Sequence, residues 1–190
     1  ASVVVFGCGG VGLNVIQGAA IAGAGRIVAI DAMESKLDMA RKFGATDTLL
    51  AKPGEDLTKA LKKLTGGGAD YAFECVGSGE LAAAAYRAIG RGGVAVVVGV
   101  AKPGDSTAVR TMTLPFEEKT LTGSYMGSCV PRVDFPRMLG LYTQGKLKLD
   151  GVECAPQLAV LSQHDEDRRH QPGVAQRGEE ERLFQVDVPS

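Results

Sequence analysis

The sequence predicts an α/β fold: a doubly wound, six-stranded parallel sheet with helices on both faces. Three observations carry this. Short apolar runs alternate with stretches of helical periodicity along most of the chain. The first run, Val3–Phe6, passes straight into a glycine-rich turn and then an apolar helix. The second, Arg26–Ile30, ends on an acid, Asp31.

Val3–Phe6 reads as a buried strand. Gly7, Gly9 and Gly12 after it fit G-x-G-x-x-G, and each glycine has its own task in a strand-turn-helix unit. Gly7 permits the tight turn, Gly9 lets backbone approach a pyrophosphate, and Gly12 lets the helix pack on the strand. The helix opens near Gly10 and runs to Ala22, with Gly18, Ala19, Ala20 and Ala22 small enough for close approach to the sheet. Its free N–H groups and positive dipole end form a seat for an anion. Asp31 lies nineteen residues after Gly12, where a dinucleotide site needs a carboxylate for the adenosine ribose hydroxyls. As an alternative or additional role, Asp31 caps the next helix, as Ser35 also can. The arrangement is that of a Rossmann fold.

That second helix carries Leu37, Ala40 and Phe43 on one face and stops at Gly44. Thr46–Leu50 forms a third strand, ended by Pro53-Gly54. Leu57, Leu61 and Leu64 share a helical face that Gly66-Gly67-Gly68 closes. Ala69–Glu74 is the fourth strand, and Glu80–Ile89 an alanine-rich helix. Gly90, Gly92 and Gly93 read as a turn, after which Val94–Val100 forms a central strand. Thr120–Ser124 makes the sixth strand, and Val133–Tyr142 a last helix that stops at Gly145.

Composition narrows the partners. Lys and Arg number 21 against 22 Asp and Glu, so there is no net basic charge to favour a nucleic-acid backbone. No apolar run is long enough for a bilayer, and the chain opens on a strand without a charged leader, so a soluble, cytoplasmic protein is expected. Cys8, Cys75, Cys129 and Cys154 are far apart and form no C-x-x-C pair; inert thiols in a reducing compartment follow. His164 and His170 lie in a charged region without the packed surroundings a catalytic or metal role needs.

Several motifs together resemble one family. Gly7-Cys8-Gly9-Gly10-Val11-Gly12, Ile30-Asp31 with Lys36-Leu37, Phe43-Gly44-Ala45-Thr46, Phe73-Glu74-Cys75-Val76-Gly77 and Val98-Gly99-Val100 resemble the coenzyme domain of zinc-type medium-chain alcohol dehydrogenases, most nearly the class III, formaldehyde-dehydrogenase-like branch. The resemblance covers residues 2–150. It implies that Gly7, Gly9, Gly10, Val11 and Gly12 hold the pyrophosphate of NAD, with Asp31 and Lys36 on the adenosine ribose. Cys75, Val76, Val98, Gly99 and Val100 then line the nicotinamide-ribose half, and Met126 sits beside the carboxamide. Asp31 would repel a 2′-phosphate, and no arginine follows it at once, so NAD is expected over NADP.

The resemblance also implies a division of labour. The family's catalytic zinc and its structural-zinc lobe belong to a domain that mostly precedes this segment, so the chain is expected to be an NAD-binding fragment, with no catalytic residue or metal ligand of its own. Domain 1–150 would bind NAD, and the alcohol would be met only in a full-length enzyme. The tail, 151–190, departs from the family: Gln163–Arg182 is mostly charged and amide residues, which suits disorder or a shifted reading frame, or else a solvated helix through Glu179–Leu183. A homodimer contact is expected at the sheet edge near Thr120–Ser124. Two other readings stand beside this one. The chain is a non-catalytic dinucleotide sensor or assembly module, or Tyr142 and Lys146, spaced as Y-x-x-x-K with Ser128 upstream, serve a short-chain reductase.

Overall fold

Strand β1 (Ser2–Phe6) has Val3, Val4, Val5 and Phe6 buried, and the whole sheet is assembled around it. Helix α1 (Gly10–Ile21) returns the chain to β2 (Arg26–Asp31), and α2 (Glu34–Phe43) to β3 (Asp47–Leu50). The second half runs through α3 (Thr58–Leu64), β4 (Ala69–Glu74), α4 (Gly79–Ala88), β5 (Ile89–Val97), α5 (Thr113–Glu117), β6 (Thr120–Gly123) and α6 (Pro131–Thr143). The computed structural model describes residues 1–52 and 54–152, within one unit, Ala1–Glu153. The readings made on the tail, on Cys154 and on both histidines fall outside the described residues.

All strand pairs are parallel, in the order β3-β2-β1-β4-β5-β6. Chain direction across the sheet reverses between β1 and β4, and a doubly wound sheet has its crevice there, beyond the carboxyl ends of the strands. Alternation along each strand feeds two cores. Val4, Phe6, Val28 and Ile30 pack with Leu61 of α3 and Ala85, Tyr86 and Ala88 of α4. Val3, Val5, Ile27 and Ala29 pack with Leu13 and Ile16 of α1 and Leu37, Ala40 and Phe43 of α2. Each fully buried aliphatic side chain in these layers contributes about 1.5–3 kcal/mol of transfer free energy.

Several elements differ from the sequence expectation. Residues Gly90, Gly92 and Gly93 do not form a turn before the fifth strand; they lie inside it, since β5 begins at Ile89 and ends at Val97. Ala69 pairs with Ile89 and Tyr71 with Val94, so β5 spends five residues where β4 spends two. The glycines belong to a bulge, where a Cβ on Gly68 would come within 2.5 Å of the Gly90 backbone. Val98, Gly99 and Val100 consequently lie beyond the strand, in the loop that follows. Helix α5 was not foreseen. Helix α6 starts two residues earlier than its apolar pattern, with Pro131 in its first turn.

The cap of α2 also differs. Met33 occupies the N-cap position with no side-chain hydrogen bond, so neither Asp31 nor Ser35 caps that helix in the ordinary way. On α1, the closest approach is made by Gly12, and of the small residues near its end Ala19 packs against the core. Gly18 has open space where a Cβ would be, and Ala20 packs instead against Gly44, the left-handed residue that ends α2. A Cβ at Gly12 would lie 1.8 Å from the Gly7 carbonyl oxygen, which is backbone and has no side chain to swing away. Gly12→Ala should therefore lower unfolding free energy by about 3 kcal/mol in urea titrations; a loss below about 1 kcal/mol would show that α1 can back away from β1.

Candidate dinucleotide-binding site

The glycine turn separates positions the fold demands from one it does not. Gly7 has φ +89°, a left-handed conformation, and a Cβ there would meet the Val76 side chain at 2.5 Å. Its N–H donates to the Ile30 carbonyl at 2.8 Å, which ties the turn to the end of β2. Gly12 is demanded by the helix contact just described. Gly9 is different: its φ of −74° and ψ of −169° suit any residue, and a Cβ would meet nothing within 4 Å. Gly9 is the N-cap of α1 and supplies no side chain to cap the helix, so Gly10, Val11 and Gly12 begin a helix with no capping side chain. This is a cradle that a side chain at residue 9 would begin to fill.

Asp31 faces that cradle. One carboxylate oxygen accepts from the Cys8 N–H at 2.8 Å and the other from the Met33 N–H at 3.0 Å. Each oxygen keeps a lone pair, and the residue is only half-buried, so two further donors can be received. Lys36, half-buried in the first turn of α2, lies near enough to Cys8 for its charge to act on that thiol. The turn, Asp31 and Lys36 thus lie close together in the fold.

The other predicted residues lie on the carboxyl ends of β4, β5 and β6. Cys75 donates its N–H to the Phe6 carbonyl at 2.9 Å, and Val76 lies over Gly7 with half its surface exposed. Gly99 closes on Gly77, where a Cβ on Gly99 would stand 2.1 Å from the Gly77 nitrogen. Val100 is 87 % exposed, so it presents a side chain rather than filling a core. Met126, at φ +48° in a 3₁₀ turn after β6, is also exposed.

Sequence reasoning gave Glu74 no role, yet it is fully buried at the end of β4. Its Oε1 accepts from Val76 N–H at 2.8 Å and Gly77 N–H at 2.7 Å. The one available signal was an acid closing an apolar strand immediately before a Val-Gly turn.

Burial pushes the Cys8 thiol up to about 12, with the Asp31 charge adding to the rise and Lys36 opposing it. Burial likewise pushes Cys75 up to about 12, helped by Glu74. Neither is a reactive thiolate near neutral pH. Tyr142 and Lys146 do not share a helix, because α6 ends at Thr143 and Gly145 turns at φ +70°. The Tyr142 hydroxyl donates to Asp150 at 3.0 Å, and this bond raises its pKa, the reverse of what a general acid-base tyrosine requires.

Strand order, glycine turn and acidic partner define a Rossmann-type domain. Residues 10–144 match the zinc-binding dehydrogenase family, and this chain belongs to that family. Alcohol dehydrogenase 1 of Pisum sativum is 38 % identical over 152 residues, which are 78 % of this chain and 40 % of the pea protein. The chain thus spans about two fifths of the length of the curated relatives it matches. Benzyl alcohol dehydrogenase of Acinetobacter calcoaceticus superposes with a TM-score of 0.76 at 33 % identity, covering 89 % of this chain and 46 % of that one. A zinc-binding dehydrogenase of Sinorhizobium meliloti, bound to NADP, superposes with a TM-score of 0.68 at 27 % identity, covering 79 % and 43 %. Among the described residues no helix is long and apolar enough to cross a membrane, and no group of three or more His, Cys, Asp or Glu is placed to hold a metal ion.

The buried thiols set an alkaline limit. Their ordinary value is 9.0, so between pH 9 and about 12 the folded chain keeps protons that the unfolded chain has released, and stability falls as pH rises. Below that window both thiols are protonated in either state and the stabilisation is complete. The urea midpoint should drop between about pH 8 and about pH 10.5, and less so in Cys8→Ala/Cys75→Ala. Equal slopes in the two proteins would remove the thiols as the cause.

Proposed function

We propose that residues 1–150 are the NAD-binding domain of a medium-chain, zinc-type alcohol dehydrogenase of the class III, formaldehyde-dehydrogenase-like branch. The observation that carries this is the open start of α1 with Asp31 beside it: Gly9 leaves free space before helix N–H groups that no side chain caps, and Asp31 is tied to the same turn through the Cys8 N–H. A pyrophosphate fits on those N–H groups. Gly7, Gly9, Gly10, Val11 and Gly12 form its seat. Asp31, with a free lone pair on each oxygen, receives the adenosine ribose hydroxyls, and Lys36 lies alongside.

Cys75, Val76, Val98, Gly99, Val100 and Met126 line the nicotinamide half. When bound there, NAD would supply the hydride acceptor for alcohol oxidation, with zinc and the alcohol held by the rest of a longer enzyme. The exposed Val100, Phe116, Tyr125 and Met126 suit a surface that such a further domain covers. The relative bound to NADP does not set the preference here, because the Asp31 carboxylate would stand against a 2′-phosphate. The β6 edge, last in the sheet, is where we place a homodimer contact. The chain acts in the cytoplasm.

Calorimetric titration of the chain should show NAD binding at least about tenfold more tightly than NADP. Asp31→Ser should narrow that gap to within about threefold, chiefly by weakening NAD. Gly9→Val should abolish binding while shifting the urea midpoint little, because among the described residues nothing stands within 4 Å of a Cβ at that position. NADP binding more tightly than NAD, or Gly9→Val binding normally, would overturn the assignment.

A further inference from the structure

Glu74 has one property the sheet does not require of it. Its backbone carbonyl accepts from Val98 N–H at 2.9 Å and Gly99 N–H at 3.0 Å, while its side chain takes Val76 N–H and Gly77 N–H. One residue therefore holds four N–H groups on two loops, those leaving β4 and β5. Where the loops meet, Gly77 and Gly99 allow a backbone-to-backbone approach. A Cβ on Gly77, at φ +91°, would lie 2.3 Å from the Val100 oxygen, and one on Gly99 would lie 2.8 Å from Glu74 Oε2.

Burying a carboxyl group is costly, and an apolar residue would pack the end of β4 without that cost. The burial is offset only by what the side chain holds in place. We propose that Glu74 is a positioning residue for the nicotinamide half of the cleft, an assignment that rests on the coenzyme reading above. With no exposed surface it touches no ligand; it acts through Val76, whose side chain it sets over Gly7, and through the Gly77–Gly99 contact that fixes where Val98 and Val100 stand. Asp31 and Glu74 then divide the work across β1, one meeting the adenosine half directly and the other shaping the opposite wall from within.

Oε2 has no hydrogen-bond partner among the described residues, so the role is assigned to the acceptor at Oε1. Glutamine supplies that acceptor on the same stem.

Calorimetry with NAD and with 5′-AMP separates the two halves, because AMP occupies only the side served by Asp31. Glu74→Ala should weaken NAD by about tenfold or more and AMP by less than about twofold. Glu74→Gln should stay within about threefold of the unsubstituted chain for both ligands. If Glu74→Ala unfolds, Glu74→Asp, whose shorter stem draws its oxygens away from Val76 and Gly77, should give the same split. Parallel losses of NAD and AMP, unchanged NAD binding in Glu74→Ala or in Glu74→Asp, or a Glu74→Gln as weak as Glu74→Ala would each overturn the proposal. An unsubstituted chain that binds neither NAD nor AMP would overturn the coenzyme reading itself, and this one with it.

Discussion

The first turn of helix α1 meets the turn that follows strand β1 backbone to backbone, at Gly12 and Gly7, and the geometry of the crevice follows from that contact. Because Gly12 rests against the Gly7 carbonyl, the first turn of α1 is held over the end of the strand. The helix dipole and its uncapped N–H groups thereby point into the crevice instead of past it. The Gly7 N–H to Ile30 and the Cys8 N–H to Asp31 bind the same turn to β2, so strand, helix and acid move as one piece. Any residue larger than glycine at 12 would separate all three.

The same tight packing explains the thiols. Cys8 is buried under the turn and Cys75 partly buried beyond β4, and burial leaves both as small apolar fillers with disfavoured thiolates. Two carboxyl groups a strand apart on either side of β1 show how burial sorts like chemistry into unlike roles. Asp31 keeps water contact and spare lone pairs, while Glu74 has neither exposure nor a donor for its second oxygen.

The two ends of the sheet differ in how completely they are covered. Around β1, β2 and β4, apolar side chains from four helices close both faces. Around β6 and α6, Phe116, Tyr125, Met126, Phe135 and Leu139 remain exposed, and α6 buries none of its residues. Gln17 provides the counterweight near the end of the described chain: buried on α1, its amide donates to the Lys148 carbonyl at 3.0 Å and accepts from the Lys148 N–H at 2.8 Å. That paired bond holds the segment after α6 against the first helix, across 131 residues of sequence.

Fold class, strand count and the glycine turn were legible in the sequence because each rests on local rules: period-two and period-3.6 apolarity, and glycines at fixed offsets whose reasons lie within ten residues of one another. The place of Asp31 beside that turn was legible too, since a parallel neighbour strand brings its end beside that of β1. What only the folded chain decided is everything set by contacts between distant segments. Gly90, Gly92 and Gly93 look like a turn until β4 and Gly68 are placed beside them, and then they are a bulge. Glu74 looks like the end of a strand until two loops fold over it. Sequence alone thus determined the fold class and the order of its strands along the chain; tertiary structure decided which glycines the protein's own packing requires, because that depends on what stands within a few ångströms of a missing Cβ.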